Sequence, residues 1–444
     1  MLNMKREEKI EEILKIIKDQ EIKFASLEFT EINGIVKSFG VNINRIESIL
    51  KAGEAFDGSS ITGYGSIEES DMVALPDPFT FHIIPWNSQK KDECGFICDI
   101  YEPDGKRFEG DPRFILQKTY KEVQEMGYEF MCAPELEFFI LSEEEAIKPR
   151  DLRGYFDYDP HLMDEKMRRG MAEYAKEYGI EIETLHHEVA EGQNEIDFKY
   201  DTALKTADHT VWLKMIVKVV AAQYNCIASF MPKPFQNING SGMHVHQSLW
   251  KNGENIFYDE NDENNISQIM KYYIGGQIKY GKEMCAVLCS WPNSYKRLVP
   301  GYEAPIYLAW GFKNRSPLIR VPSFPTKSGA RCEIRCPDPA GNPYLQFSVL
   351  LATGLEGIKQ KIEPPEPSDF NVYKISTKEM KKRGIKALPA NLYEALEEYE
   401  KSELMKRVFG DRPFRNYLWA KLEEFDLYRK VVSDWEFKRY IRKL

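Results

Sequence analysis

Five short apolar segments carry glutamate or histidine where strand geometry would aim them at one place. They are Ala133-Pro134-Glu135-Leu136-Glu137-Phe138-Phe139, His187-Glu188-Val189, Asn194-Glu195-Ile196-Asp197-Phe198, Gly242-Met243-His244-Val245-His246 and Arg331-Cys332-Glu333-Ile334-Arg335-Cys336. Residues two apart on a strand share a face, so Glu135 and Glu137 point one way while Leu136 and Phe138 point the other. The same alternation pairs His244 with His246, and Glu333 with Arg331 and Arg335. A lone Glu-x-Glu is usually a solvated strand face. Repeated on apolar segments, such acids need a counter-charge, and a divalent cation supplies it. Five carboxylates (Glu135, Glu137, Glu188, Glu195 and Glu333) and the imidazole of His244 suit Mg²⁺ or Mn²⁺, because hard cations prefer oxygen and the set holds no thiolate. Two metals sharing these six ligands is the natural division.

Arg297, Arg315, Arg320, Arg331 and Arg335 fall within 39 residues of one another around the last of these segments. Arginine binds carboxylate and phosphate bidentately, so beside divalent cations it points to phosphoryl transfer onto a carboxylate. Asn239-Gly240-Ser241-Gly242, just before His244, reads as a turn offering backbone N–H groups to a substrate. Gly276 to Lys282 spells G-x-x-x-x-G-K, but Glu283 stands where a phosphate loop needs Ser or Thr, and the segment lies in a helical pattern. Cys332 and Cys336 alternate away from the Glu333 face, which makes them core thiols rather than nucleophiles.

The elements that must hold these groups follow from periodicity. A helix over Ile10 to Ile17 opens the chain. Phe24 to Thr30 and Ile35 to Phe39 read as strands joined by a tight Asn33-Gly34 turn. The Gly- and Ser-dense stretch Gly53 to Gly65 reads as a loop carrying Asp57, and a strand from Phe96 ends at a turn near residue 105. This predicts an α+β protein with a small domain over 1–105 and a larger one over 106–444. In the larger one, helices at 112–126, 161–178, 202–224 and 265–289 alternate with the acidic strands, and the chain past Tyr344 is mostly helical.

The 444 residues are 43% hydrophobic and 29% charged, enough for a full core. A formal charge of −10 argues against nucleic-acid binding, and the Lys/Glu-rich start is neither a signal peptide nor an anchor. Eight cysteines without zinc or disulfide spacing indicate reduced thiols in the cytoplasm, and no membrane association is expected.

Six ordered segments give the chain a resemblance to type I glutamine synthetase of bacteria and archaea: Phe56-Asp57-Gly58-Ser59-Ser60-Ile61, the Glu135 segment, His186 to Glu195, Asn239 to His246, Asn293 to Pro305 and Arg331 to Pro339. The resemblance implies an N-terminal β-grasp domain and a catalytic domain with a curved antiparallel sheet flanked by helices. It implies a homo-oligomer, usually a dodecamer of two hexameric rings with active sites between subunits, and regulatory proteins of nitrogen metabolism as further partners. The substrates would be glutamate, ammonium and ATP, with two Mg²⁺ per site, Mn²⁺ being an alternative. Glu137, Glu188 and Glu195 would hold one metal, and Glu135, His244 and Glu333 the other. Glutamate would meet Asn239, Gly240, Arg297 and Arg335. ATP would meet Glu183, His246, Ser248, Arg320 and Arg331, with Arg315 at the transferred phosphoryl group. Asp57 and Ser60 of one subunit, with Tyr155 and Glu188 of its neighbour, would bind ammonium, and Glu303 would close the site. The sequence departs from the family pattern after Tyr373, where the Leu-Pro-Pro of adenylylated relatives is missing, and at Ser66, where feedback-inhibited relatives have arginine.

Overall fold

A computed structural model describes residues 2–63, 71–87, 91–142, 147–158, 163–299, 304–368 and 370–444. Glu303 and the Gly65-Ser66-Ile67 stretch lie outside the described residues.

The first sheet contains β1 (Phe24–Thr30), β2 (Val36–Asn42), β3 (Glu54–Asp57), β4 (Asp71–Pro76), β5 (His82–Ile83) and β6 (Glu93–Tyr101). Its strands run in the order β2-β1-β6-β4-β3, with β5 paired to β6, and β1 is parallel to β6. The helix Leu2–Asp19 lays Ile10, Ile13 and Ile17 against this sheet's own hydrophobic cluster, as the spacing of those residues requires. Two expectations shift here. The β1–β2 connection spans residues 31–35 rather than two, because the Glu31 carboxylate accepts from Asn33 N and Ile35 N and lengthens the turn. Asp57 ends β3, pairing with Asp71 of β4, instead of lying in the middle of a loop.

The second sheet comprises β7 (Glu129–Ser142), β8 (Lys148–Pro149), β9 (Ile182–His187), β10 (Gln193–Phe198), β11 (Asp201–Thr202), β12 (Cys226–Ser229), β13 (Met243–Lys251), β14 (Glu254–Asn255), β15 (Trp310–Phe312), β16 (Ile319–Val321) and β17 (Cys332–Ile334). Its main path is β15-β16-β17-β13-β7-β10-β9, antiparallel except for β15 with β16. Along β7 the even positions Phe130, Cys132, Leu136, Phe138 and Ile140 are buried in the main core. The odd positions first bear the acids and then, at Phe139 and Leu141, close over a separate small cluster with Ala190. Pro134 has no N–H to donate, and it falls where β7 changes partner from β11 to β10.

Helices Pro112–Glu125, Ala203–Gln223, Gln268–Lys279 and Pro343–Gln360 bury the other face of this sheet. The helix expected over 265–289 is two helices, Gln268–Lys279 and Gly281–Leu288, joined at Tyr280. Gly276, part of the false phosphate motif, permits helix contact: a Cβ there would sit 2.2 Å from the Thr353 carbonyl and 2.7 Å from Gly357 Cα.

Buried charge ties the two sheets together. Arg113 is 3% exposed; it donates through Nε and Nη2 to both carboxylate oxygens of Asp208 (3.1 and 2.9 Å), through Nη1 to Asp99 (2.7 Å) and through Nη2 to Asp77 (2.9 Å). The Tyr344 hydroxyl donates to Asp208 Oδ1 at 2.7 Å. Asn342 caps its helix through Tyr344 N and donates to the Glu31 carbonyl at 3.0 Å, at a point where Gly34, with φ +87°, leaves no room for a side chain. Removing one member of such a buried network strands the others, so Arg113→Ala should lower unfolding stability by about 3–5 kcal/mol. The readout is the denaturation midpoint, and an unchanged midpoint would contradict this account.

Candidate active site

Strand register builds the site. Glu137 lies opposite Glu195, Glu135 opposite both His244 and Asp197, Glu195 opposite His186, and Glu333 opposite both His246 and Arg320. Like charges face one another across ladders, which destabilises a sheet unless a cation intervenes.

Two groups of ligand atoms lie mutually within 4.8 Å: one from Glu135, His244 and Glu333, the other from His186, Glu188 and Glu195. In the first, His244 Nδ1 is 2.7 Å from Glu135 Oε2 and 3.6 Å from Glu333 Oε1, while His246 Nε2 is 2.7 Å from Glu135 Oε1. Arg320 Nε donates to Glu333, and Arg335 Nε does so at 3.1 Å. Burial works to raise the Glu135 carboxyl, but hydrogen bonds from His244 and His246 take it well below the usual range. Glu333 is also lowered, its burial outweighed by the histidines and Arg335.

The second group behaves in the opposite way. Burial, with Asp197, Glu135 and Glu188 nearby, pushes Glu195 up to about 10. Burial, Glu195 and Glu188 push Glu137 well above the carboxylate range. Glu137 stands slightly aside from this cluster, where its Oε2 accepts from Gln193 Nε2 (2.8 Å) and Gly242 N (2.9 Å). In its place among the clustered ligand atoms is His186, with Nε2 3.0 Å from Glu195 Oε1. These oxygen-rich sets fit Mg²⁺ or Mn²⁺, and a cation here would stabilise the ionised carboxylates that burial otherwise disfavours.

Two cavities meet at Glu135. One, of about 340 Å³, is lined by Glu135, Glu137, Tyr155, Glu188, Glu195, Asn239, Gly240, His244, Arg297, Arg315, Arg320, Glu333 and Arg335. The second, of about 380 Å³, is lined by Glu135 again and by Glu183, His246, Ser248 and Arg331. Arg297 is fixed by donating to the carbonyls of Cys336, Pro337 and Arg335, and Arg331 Nε donates to His246 Nδ1 at 3.2 Å. The glycines of the Asn239 turn make room: a Cβ on Gly242 would lie 2.5 Å from Arg297 Nη2, and one on Gly240 2.2 Å from the Pro232 carbonyl. The N–H of Gly242 donates to Glu137 Oε2 at 2.9 Å.

Asp57 and Ser60 line neither cavity, and Asp57 is exposed, accepting from Ser59 N at 2.8 Å and from the Ser59 side chain. Tyr155, on the wall of the first cavity, stacks on Phe156 at 4.0 Å, and Phe156 holds φ +61°. All eight cysteines are free and buried, and burial pushes the Cys332 thiol up, so they are core groups. Gln193, with Tyr200 and Trp250 at the second cavity, is absent from the sequence expectations, whereas His186 and Asp197 lie in the segments named there but without a ligand role. His186, Gln193 and Asp197 share strand faces with Glu188 and Glu195, so the alternation that found the acids also contained them.

With cations absent, the acids of the second group repel one another. Mn²⁺ should therefore raise the thermal midpoint and EDTA should reverse it. In Glu195→Gln the metal-free midpoint should hold while the Mn²⁺-induced rise falls by at least about half. A full rise in that variant would remove Glu195 from the metal site.

The family model for the glutamine synthetase catalytic domain matches residues 109–440, and that for the glutamine synthetase beta-Grasp domain matches 21–103. The chain is 47% identical over 437 residues to a glutamine synthetase of Clostridium saccharobutylicum, covering 98% of each chain. It is 45% identical over 449 residues to that of Methanosarcina mazei, covering all of both. Among solved structures, a GmaS/ADP complex superposes with TM-score 0.88 at 28% identity, covering 96% of this chain and 99% of that one. Plasmodium falciparum glutamine synthetase does so with TM-score 0.86 at 27% identity, covering 97% and 98%.

Proposed function

Because the chain belongs to the glutamine synthetase family, an assignment its two family matches and its relatives establish, we propose specific roles for the residues around its two cavities. The protein is an ATP-dependent glutamate–ammonia ligase, converting L-glutamate, ammonia and ATP to L-glutamine, ADP and phosphate. The observation that carries the residue roles is the meeting at Glu135 of two cavities that bring arginines and acids together.

In this reading Asn239, Gly240, Arg297 and Arg335 hold glutamate in the first cavity. Glu183, His246, Ser248 and Arg331 hold ATP in the second, where Trp250 Nε1 donates to Ser248 Oγ at 2.9 Å and Tyr200 stacks near Trp250. Glu137, Glu188 and Glu195 hold one divalent cation, and Glu135, His244 and Glu333 a second. These cations, Mg²⁺ or Mn²⁺, supply Lewis-acid stabilisation of the phosphoryl oxygens. A carboxylate oxygen is a poor leaving group, so the γ-carboxylate of glutamate first attacks the γ-phosphorus of ATP, releasing ADP. Arg315 and Arg320 meet the charge on the transferred group. Ammonium is not a nucleophile. Asp57, with Ser60, Tyr155 and Glu188 completing the pocket, takes one proton, and the resulting ammonia attacks the acyl carbon of γ-glutamyl phosphate and displaces phosphate. Glu303 takes the second proton and excludes water.

The homo-oligomer is proposed to be a dodecamer of two hexameric rings, each site completed by Asp57 and Ser60 of a neighbour. Supporting this, Asp57 and Ser60 lie outside both cavities of their own chain, and the C-terminal segment exposes Val432, Trp435, Phe437 and Ile441. The small domain is taken to end near residue 105. Free buried thiols support a cytoplasmic setting, and among the described residues no helix is long and apolar enough to cross a membrane.

ATP-dependent glutamine formation with Mg²⁺, repeated with added glutamine and with 2-oxoglutarate, tests activity and control together. Asp57→Ala should lose synthesis at low ammonium by on the order of 10²-fold or more while binding ATP normally. Mixing it with Glu188→Ala should restore activity in hybrid oligomers, since some sites then receive both intact halves. Undiminished turnover in Asp57→Ala, or mixtures that stay inactive, would refute the shared site. Glu303→Ala should lower glutamine formed per ATP consumed, and unchanged coupling would argue against its role.

A further inference from the structure

Gln193 is 1% exposed and sits where three parts of the site converge. Its Nε2 donates to Glu137 Oε2 at 2.8 Å and lies 3.3 Å from the Gly240 carbonyl and 3.5 Å from Ser241 Oγ. Its Oε1 accepts from Ala190 N at 3.2 Å, and its backbone carbonyl accepts from Glu188 N at 2.8 Å. The amide orientation is fixed by its surroundings, because a flipped amide would turn its oxygen toward a carboxylate and a carbonyl, both acceptors. No other side chain makes this link among the described hydrogen bonds to Glu137, whose second partner is a backbone N–H, that of Gly242.

We infer that Gln193 is a positioning residue that couples glutamate binding at the Asn239–Gly242 turn to occupancy of the acceptor-side cation site through Glu137. The inference rests on the site assignments above. A cation drawing on the Glu137 carboxylate pulls on the Gln193 amide, and through it on Gly240 and Ser241. Glutamate settling against Gly240 moves the same amide in return, and coupling of this kind is reciprocal. A neutral amide suits the task. Lysine or arginine in its place would hold Glu137 as firmly but would cancel the negative charge that attracts the cation. The hairpin from Glu188 to Gln193 also makes the amide move with another acceptor-side ligand, since Gln193 N donates to the Ala190 carbonyl at 3.0 Å and closes that turn.

The test is Mn²⁺ binding followed by electron paramagnetic resonance on the intact oligomer, with and without glutamate. In the unmodified protein, glutamate should tighten the acceptor-side Mn²⁺ by on the order of ten-fold. In Gln193→Met, which keeps the volume and loses the hydrogen bonds, the ratio should fall to within about two-fold of unity. The KM for glutamate should rise while that for ATP stays unchanged, a split that general disruption would not produce. The phosphate-side Mn²⁺ serves as an internal control for folding; should Gln193→Met lose it, Gln193→Leu, also neutral and without hydrogen bonds, carries the same measurement with the same expected loss of coupling. Equal coupling in variant and unmodified protein, or none in either, overturns the inference. An unmodified protein that binds no Mn²⁺ overturns instead the cation sites on which it rests.

Discussion

Mutual repulsion among buried carboxylates is the constraint around which this molecule is organised. Glu135, Glu137, Glu188, Glu195 and Glu333 line one cavity, and Asp197 lies beside them on the wall of the next. Separate loops would relax such a cluster by drifting apart, whereas adjacent strands hold it through backbone ladders that side-chain repulsion cannot easily break. The charge is also distributed unevenly. Around Glu135 and Glu333, hydrogen bonds and charge from His244, His246, Arg320 and Arg335 offset burial, and both carboxyls are lowered. Around Glu137 and Glu195 burial dominates and raises both carboxyls. On the proposed roles, that polarity suits an anionic nucleotide at one end and a cationic nitrogen source at the other.

The small domain is bound to this core through charge rather than through apolar contact alone. Arg113 reaches Asp77 and Asp99 of the small sheet's region and Asp208 of a core helix in one guanidinium. Planar, always-charged arginine can satisfy three carboxylates at fixed angles, which lysine cannot. β3 ends at Asp57, which is exposed and lines neither cavity of its own chain.

Much of this was legible in the sequence, and the exceptions have physical causes. Alternation located Glu135, Glu137, Glu195, His244 and Glu333, because a period of two leaves no ambiguity once an apolar face is recognised. Which acids share a cation was not legible, since that depends on register between strands far apart in sequence, such as Glu195 against Glu137. At the Asn239–Gly242 turn, the glycines also make room for Arg297 and the Pro232 carbonyl, neighbours no local pattern reveals. Gln193 escaped notice because a neutral amide carries no chemical signature until its partners are known. The break at Tyr280 was hidden by helical propensity on both sides, and it is set by packing, where Gly281 lies against Leu308.

On the proposed roles, β7 fixes the distance between the two halves of the reaction. Glu135 and Glu137 are one strand repeat apart, roughly 6.8 Å, so the two proposed cation sites are spaced by the backbone itself. A side chain here can be exchanged, and its effect will be graded. Inserting or deleting one residue between them is a different kind of event, because it would turn one carboxylate into the helix-packed core and carry a phenylalanine or leucine into the cavity. The segment can therefore change over generations only by replacement, never by length, and its reaction geometry is inherited as a count of residues rather than as a shape.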